Sequence, residues 1–597
     1  MRTDYPDGRQ LYFDLLKEWC DGLCALQLTE SKRKEIYGGL ICPACGRIHG
    51  RSADAILPMM YLAKHTNDQK YHDCAHRLFL WSNNLYHEDG YYFNDLENNW
   101  KGITVFFCVQ LGETLDAFSD LLTAEEKEAW RERYFKTCDF VEKKLDKIGA
   151  TINYPATGAY AMALAAKLSS GETAERFRER AHAYAKLACA HILQDGILFG
   201  EGHPLTALTP KGARAVDIGY NLEESLPALA EYCYLEEDPE TETCVWRALE
   251  THMKFLLPDG GIDNSFGSRS FKWTYWGSRT SDGFQALAAR MSKDNPLLQQ
   301  AAYRNALLLK RCTYGGLLYG GPMFYEAGES PCVHHTFCHA KALAKALMIL
   351  ETHTEPSVSL TEKRIAPPMF IKGTEYFPLL RTYLVQKGSW RATLTDYDYE
   401  YCPASHASGG ALTLLWHSQI GPVCVGTMNR YYCVEPGNCQ ILVNREAVCL
   451  TPRVEYLQDG TAFRNIHDLS AEVFASCGED EFSYKARGCM RDEAQNGDEN
   501  FEVTYRISTG RMCIQARCSR AAEFIFPVIA ETTDQIRFES DREIHLHRNG
   551  CALTIQADNL FISQKGGLVF NPVGGFLAYP IRMRLPAGLA GQLLITG

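Results

Sequence analysis

Three histidines fall within six positions in Cys332-Val333-His334-His335-Thr336-Phe337-Cys338-His339, in a chain that has 18 in all. Imidazole is the side chain that exchanges protons most readily near neutral pH. The segment opens into the helical pattern Ala340-Lys341-Ala342-Leu343 and sits where helical periodicity gives way to strand-like runs. Clefts form at such junctions, so proton transfer is the first chemistry to consider. His335 and His339, at i and i+4, could instead hold a metal on one helix face, although the Glu of a His-Glu-x-x-His site is missing. A third reading makes all three structural. His334 and His335 lie at or before the expected helix start and can reach a cleft, whereas His339, one turn inside, supports them.

Other groups of residues carry chemistry of their own. Cys42-Pro43-Ala44-Cys45-Gly46-Arg47-Ile48-His49 offers three zinc ligands, Cys42, Cys45 and His49. No second Cys-x-x-Cys follows at finger spacing, so a distant residue such as Cys20, Cys24 or Cys74 would have to complete the site; the alternative is a plain tight turn. Asp217-Ile218-Gly219-Tyr220-Asn221 begins a helix, and Tyr220 there serves as acid or base if neighbouring positive charge lowers its pKa, or else covers the helix end. His203, in Gly200-Glu201-Gly202-His203-Pro204, and His406, in a Gly-rich turn, are further candidates. The aromatic loops Asn99-Trp100 and Trp273-Thr274-Tyr275-Trp276 fit stacking on pyranose faces, with packing on the rim as the rival reading. Asp259-Gly260-Gly261 lacks the Lys of a phosphate loop.

These residues need elements to hold them. Up to about residue 355 apolar residues recur at three-to-four spacing in about a dozen segments, among them Thr104 to Leu122, Tyr160 to Leu168, Ile218 to Tyr234, Ser281 to Met291 and Thr336 to Leu350. Paired helices in that number with aromatic loops on one side suggest an α/α toroid. From about residue 370 short β-branched runs take over, such as Thr382 to Val385, Leu412 to Trp416 and the alternating Phe501 to Ile507. The expected fold class is α+β multidomain: an N-terminal (α/α) toroid over 1–355, a linker over 356–369, and a C-terminal antiparallel β-sandwich over 370–597.

A chain of 597 residues is long enough for two large cores. Its net charge of -12 argues against nucleic acid, which needs clustered Lys and Arg. No stretch approaches the roughly 20 apolar residues that span a bilayer. Its 23 cysteines, mostly single in apolar segments, read as reduced buried thiols. With no secretory pattern at the N-terminus, a cytoplasmic location is expected, or a periplasmic or secreted one if a signal has been trimmed. A homo-oligomer is compatible with the sequence.

The order Asp-Gly-x-x-Phe-x-x-x-x-Pro at Asp195 to Pro204, then an aromatic-polar pair at a helix start, then a His before a β domain, resembles the heparinase II/III-like polysaccharide lyases. That resemblance implies a toroid with antiparallel β-sheets, and a catalytic series in which Asn153 is first, Tyr220 second, and His334 or His335 third. Asn221 stands where a His is common in the family, and residues 205–216 are an insert. The implied activity is β-elimination on uronate-containing oligo- or polysaccharides, for which no cofactor is required, a structural zinc being optional. Asn153 and an Arg such as Arg269 or Arg279 would neutralise the uronate carboxylate, and Tyr220 with a neutral His would move the protons. A glucuronidase-like glycoside hydrolase on the same scaffold is the alternative; it needs two facing carboxyls, drawn from Glu201, Glu223, Glu224, Asp217, Glu113 and Asp263. A non-catalytic carbohydrate-binding protein would instead show aromatic loops without a convergent proton-transfer set.

Overall fold

A computed structural model describes residues 8–597 apart from 150, 203–206, 293–294, 353–370, 372, 436, 444, 559 and 562–566. The expected linker and His203 lie outside the described residues.

The helical part is a closed double ring. Its helices are α1 (Arg9–Leu26), α2 (Ile56–Thr66), α3 (Gln69–Trp81), α4 (Thr104–Phe118), α5 (Ala124–Lys144), α6 (Asn153–Lys167) and α7 (Gly171–Cys189). They continue as α8 (Ile218–Tyr220), α9 (Leu226–Glu236), α10 (Pro239–His252), α11 (Gln285–Met291), α12 (Pro296–Arg311) and α13 (Val333–Glu351). Helices α13, α2, α4, α6, α9 and α11 touch in that cyclic order, and the last returns to the first. Each carries an outer partner: α1, α3, α5, α7, α10 and α12 respectively.

Sequence explains which helix goes where. The inner helix α13 is buried nearly all round, as apolar residues on every face require. The outer helix α7 buries Ala174, Phe177, Ala181, Tyr184, Ala185 and Ala188, one stripe at three-to-four spacing. Outer helices also carry strong start signals. Thr123 and Glu126 form a capping box at α5, and Asp68 and Asp238 cap α3 and α10.

Because outer and inner helices alternate in direction, every outer-to-inner loop emerges at one rim. All six inner helices therefore present their N-terminal ends there, each with orphan N–H groups and the positive end of its dipole. Three of these helices differ from the sequence reading. Helix α6 begins at Asn153 rather than near Tyr160, since Pro155 is tolerated in a first turn. Helix α13 begins at Val333, so His334 and His335 both lie inside its first turn. The Ile218–Glu236 run is interrupted by a π-helical turn over Asn221–Ser225, a wide turn often found at functional sites.

Beyond the ring the chain forms antiparallel sheets of five, six and eight strands. The first is a meander from Thr374–Phe377 to Gly421–Val425. Strand Asn500–Ser508 buries Phe501, Val503, Tyr505 and Ile507, in the alternation read from the sequence. The sheets share one apolar core. Trp273 and Tyr275 of a rim loop pair with Gly574 of the β region through Gly574 N–H to Trp273 O (3.0 Å) and Tyr275 N–H to Gly574 O (3.2 Å). Gly321 and Gly575 approach so closely that a Cβ on Gly321 would sit 2.6 Å from Gly575 Cα, which only glycine allows at that seam. No described helix is long and apolar enough to cross a membrane.

Candidate active site

The rim and the β region enclose a cavity of about 430 Å³. Asn153, from the first residue of α6, lines it. So do Tyr220, at the end of α8, and His334, from the first turn of α13. Tyr154 of α6 joins them, with Trp100, Arg51, Thr280, Arg269 and Lys272 from the segments between the helices, and Tyr401, Glu435 and Asn438 from the β side. Convergence of residues far apart in sequence follows from the ring: inner-helix starts and the loops that lead into them meet at the same opening.

Tyr220 is 4% exposed. Its ring lies 4.5 Å from the Arg269 guanidinium carbon and 5.0 Å from Lys272 Nζ. Burial, reinforced by Glu224, holds the phenol pKa well above its usual value despite the pull of Arg269 and Arg51. The expectation that positive neighbours would lower it is therefore reversed, and Tyr220 stays protonated at neutral pH.

His334 is the mirror case. Burial, with His49 and Arg51 adding positive charge, holds its pKa well below the usual value, so the ring is neutral. Both ring nitrogens lack a hydrogen-bond partner among the described residues. Asn153 Oδ1 accepts a short hydrogen bond from Thr151 Oγ1, which leaves the amide NH₂ to donate elsewhere.

A charge network holds these three in place. Arg269 pairs with Glu201, and through Nε with Asp217 Oδ2 at 3.4 Å. Glu201 Oε2 also accepts from the Asn153 backbone N–H (3.3 Å), and Asp217 Oδ1 caps the Tyr220 N–H (3.0 Å). One arginine thus links the starts of α6 and α8. Burial lifts Glu201 to about 6 against the pull of Arg269. Lys272 is lowered to about 8 by burial and then by Arg269. Glu435 is lowered to about 2, because Lys272 and Arg269 outweigh its burial. Arg51 lies over Phe106, 4.1 Å from its ring centroid, and pairs with Asp54 and Asp282, each at 2.6 Å.

The structure separates the other candidates. His335, fully buried, faces Trp276 and accepts from Arg279 Nη1 (3.4 Å) outside the cavity. His339 Nδ1 donates to His335 O (2.9 Å) and its Nε2 faces Glu223 Oε1 at 3.4 Å, outside the cavity lining. Arg279 donates to Pro572 O (2.8 Å) and Gln440 Oε1 (3.2 Å), tying ring to sheets rather than binding a carboxylate. Trp273 and Trp276 are fully buried, their indoles donating to Ile262 O and Tyr319 O, so neither stacks on a sugar. Trp100, 41% exposed, lines the cavity, while its neighbour Asn99 does not. Asn221 is locked to Leu198 O (2.8 Å) and His252 Nε2 (3.1 Å). His406 bonds Tyr399 O and Ala407 O, away from the opening.

The hydrolase carboxylates are also committed elsewhere. Glu223 accepts from Ser278 N and Ser281 Oγ, Glu113 from Tyr160 and Lys345, and Asp263 from Thr393 and Ser265. Glu224 sits in the Arg51 network and is raised to about 8 by burial and Asp282. Among the described residues that line the cavity, Glu435 is the one carboxylate, so no pair faces across it. Sequence reasoning missed Arg51, Lys272 and Glu435. The first follows His49 by two positions, the second adjoins Trp273, and the third comes from the β region with no motif around it.

The family model for the ulvan lyase N-terminal domain matches residues 16–364, and that for the ulvan lyase C-terminal domain matches residues 374–594. A broad-specificity ulvan lyase of Formosa agariphila is 33% identical over 606 residues, covering 98% of this chain and 94% of that protein. Among solved structures, the chondroitin AC lyase of Streptomyces coelicolor A3 in complex with chondroitin sulphate aligns with a TM-score of 0.52 at 13% identity, over 98% of this chain and 79% of that one. A heparinase III aligns with a TM-score of 0.49 at 9% identity, over 98% and 83%. The chondroitin AC lyase likeness is one of fold, a helical ring followed by antiparallel sheets. With both halves matched by its models and a near-full-length relative at 33% identity, the chain belongs to the ulvan lyase family of polysaccharide lyases.

Proposed function

We propose that this lyase cleaves uronate-containing polysaccharide of the ulvan class by β-elimination, with His334 as base, Tyr220 as acid and Asn153 on the uronate carboxylate. The observation that carries the reading is the meeting of a protonated phenol, a neutral unpartnered imidazole and a free amide in one cationic cavity. In this scheme the C5–H bond breaks and its proton passes to His334. The C–H electron pair becomes the C4=C5 double bond, the C4–O4 bond breaks, and O4 takes the Tyr220 proton. Proton exchange with water restores both residues. The carboxylate gains charge as C5 is deprotonated, and preorganised donors stabilise such charge best. Asn153 Nδ2, Lys272, Arg51 and the convergent helix N-termini supply that field. Trp100 and Tyr154 offer aromatic surface to neighbouring sugars.

The substrate class rests on the Formosa agariphila relative, which is an ulvan lyase. Incubation with ulvan should raise the ultraviolet absorbance of the unsaturated uronate, with products lighter by one water than hydrolysis would give. Saturated products would favour the hydrolase instead.

A further inference from the structure

We propose that Cys42, Cys45, His49 and Cys332 form a tetrahedral zinc site that staples the start of α13 to the loop leading into α2. Cys42 Sγ lies 3.8 Å from Cys332 Sγ. His49 Nε2 lies 3.4 Å from Cys45 Sγ and 3.9 Å from Cys332 Sγ. Zinc bonded tetrahedrally at its ordinary Zn–S and Zn–N lengths puts sulfurs about 3.8 Å apart and sulfur and nitrogen about 3.6 Å apart. The ligand atoms of Cys42, His49 and Cys332 all fall within 4.8 Å of one another. Cys45, half-buried, stands against His49 as the fourth ligand.

The local fold prepares this cluster. Cys42 N–H donates to Arg47 O and Gly46 N–H to Cys42 O, each at 2.9 Å. Gly46, at φ +67°, closes the turn that carries Cys42 and Cys45. The distant residue is Cys332, 290 positions away, not Cys20, Cys24 or Cys74; Cys24 instead contacts Met59 Sδ and Cys74. Thiolates are soft ligands that suit zinc; the three cysteines would release their protons on binding, and three thiolates with one neutral imidazole make a closed structural set. The sulfurs at 3.8 Å are also well outside the roughly 2.05 Å of a disulfide bond.

The position explains what a metal would hold. Cys332 caps α13 two residues before His334, whose ring centroid is 5.2 Å from that of His49. Arg51 follows His49 by two residues, so the staple joins two walls of the cavity.

Zinc in the full-length protein, purified under reducing conditions and dialysed with zinc and then without it, should be about one per chain by elemental mass spectrometry. Cobalt substituted into the same protein should show the thiolate-to-metal and d–d bands of a tetrahedral sulfur-rich site, a test that needs no variant. Cys42→Ser and Cys332→Ser should each cut zinc retention at least tenfold, with Cys24→Ser unchanged. Metal-free wild type after this loading would overturn the proposal. So would an intact mass two hydrogens short that maps to a Cys42–Cys332 disulfide. Metal content is read without any substrate, so these outcomes are independent of the lyase roles above.

Discussion

Replacing Tyr220 with Phe removes one oxygen and keeps the ring. The ring stays in place because its contacts with Arg269 (4.5 Å) and Lys272 (5.0 Å) are cation–π contacts that phenylalanine also makes. The hydroxyl has no hydrogen-bond partner among the described residues, so its loss strands no donor or acceptor inside the protein. Stability should therefore change by less than about 1 kcal/mol, as for substitutions that break no named interaction. The rate is another matter. A positioned proton donor contributes about 10²- to 10⁴-fold, which is about 2.7 to 5.5 kcal/mol of activation free energy at about 1.36 kcal/mol per decade. Burial and Glu224 keep the phenol protonated, so all of that contribution is available at neutral pH. Initial rates of ultraviolet absorbance on ulvan, beside a thermal melt, measure both effects. Tyr220→Phe should lose about 10²- to 10⁴-fold in kcat with KM nearly unchanged, because the interaction is made mainly in the transition state. Activity within about fivefold of the parent, with the fold intact, would refute the acid role.

His334→Gln should lose about 10²-fold or more in kcat, the size of a general-base contribution, whereas His335→Gln should lower the melting temperature by disturbing Arg279 and Trp276 while the surviving enzyme keeps most of its kcat. The kcat/KM profile should be a bell. Glu201, lifted to about 6 by burial, is charged above that pH and holds Arg269, so activity falls as pH drops through it. Lys272, lowered to about 8 by burial and Arg269, is cationic below that pH, so activity falls as pH rises through it; Lys272→Met should remove the alkaline limb, and its persistence would show that another group sets it. Glu435 contributes stability that is present above its ordinary pKa and is lost as pH falls towards about 2, since its folded pKa is depressed by Lys272 and Arg269 against burial. Glu435→Gln should therefore cost about 3 kcal/mol at pH 7 in urea melts, at about 1.36 kcal/mol for each pH unit between its usual value and about 2, and nothing near pH 2.

The periodicity of the helical segments and the alternation of the strands were legible, because both patterns are local. Asn153, Tyr220 and the histidine segment could be singled out in the sequence, and the structure brings Asn153, Tyr220 and His334 to one cavity. The choice between His334 and His335 was not legible. A helix turns about 100° per residue, so adjacent side chains point to different surroundings, and only the packing shows which one meets the cavity. Trp273 and Trp276 misled for a similar reason: a tryptophan-rich loop reads as a sugar platform until the β region is seen to bury it. Closure of the ring hid Cys332 from the Cys42–His49 turn, since contacts 290 residues apart leave no spacing signal. Arg51 and Lys272 were passed over because nothing in a single charged residue marks it as facing inward.

The most direct test of the account is a crystal structure of the Tyr220→Phe protein with a uronate-containing oligosaccharide. The sugar should occupy the ring cavity, with its uronate carboxylate on Asn153 Nδ2 and its C5 about 3 to 3.5 Å from a His334 nitrogen, the separation of a reactive pair. An oligosaccharide seated elsewhere, such as the β-region groove lined by Asp468, Arg487, Phe501 and Arg517, with Asn153 and His334 untouched, would contradict it.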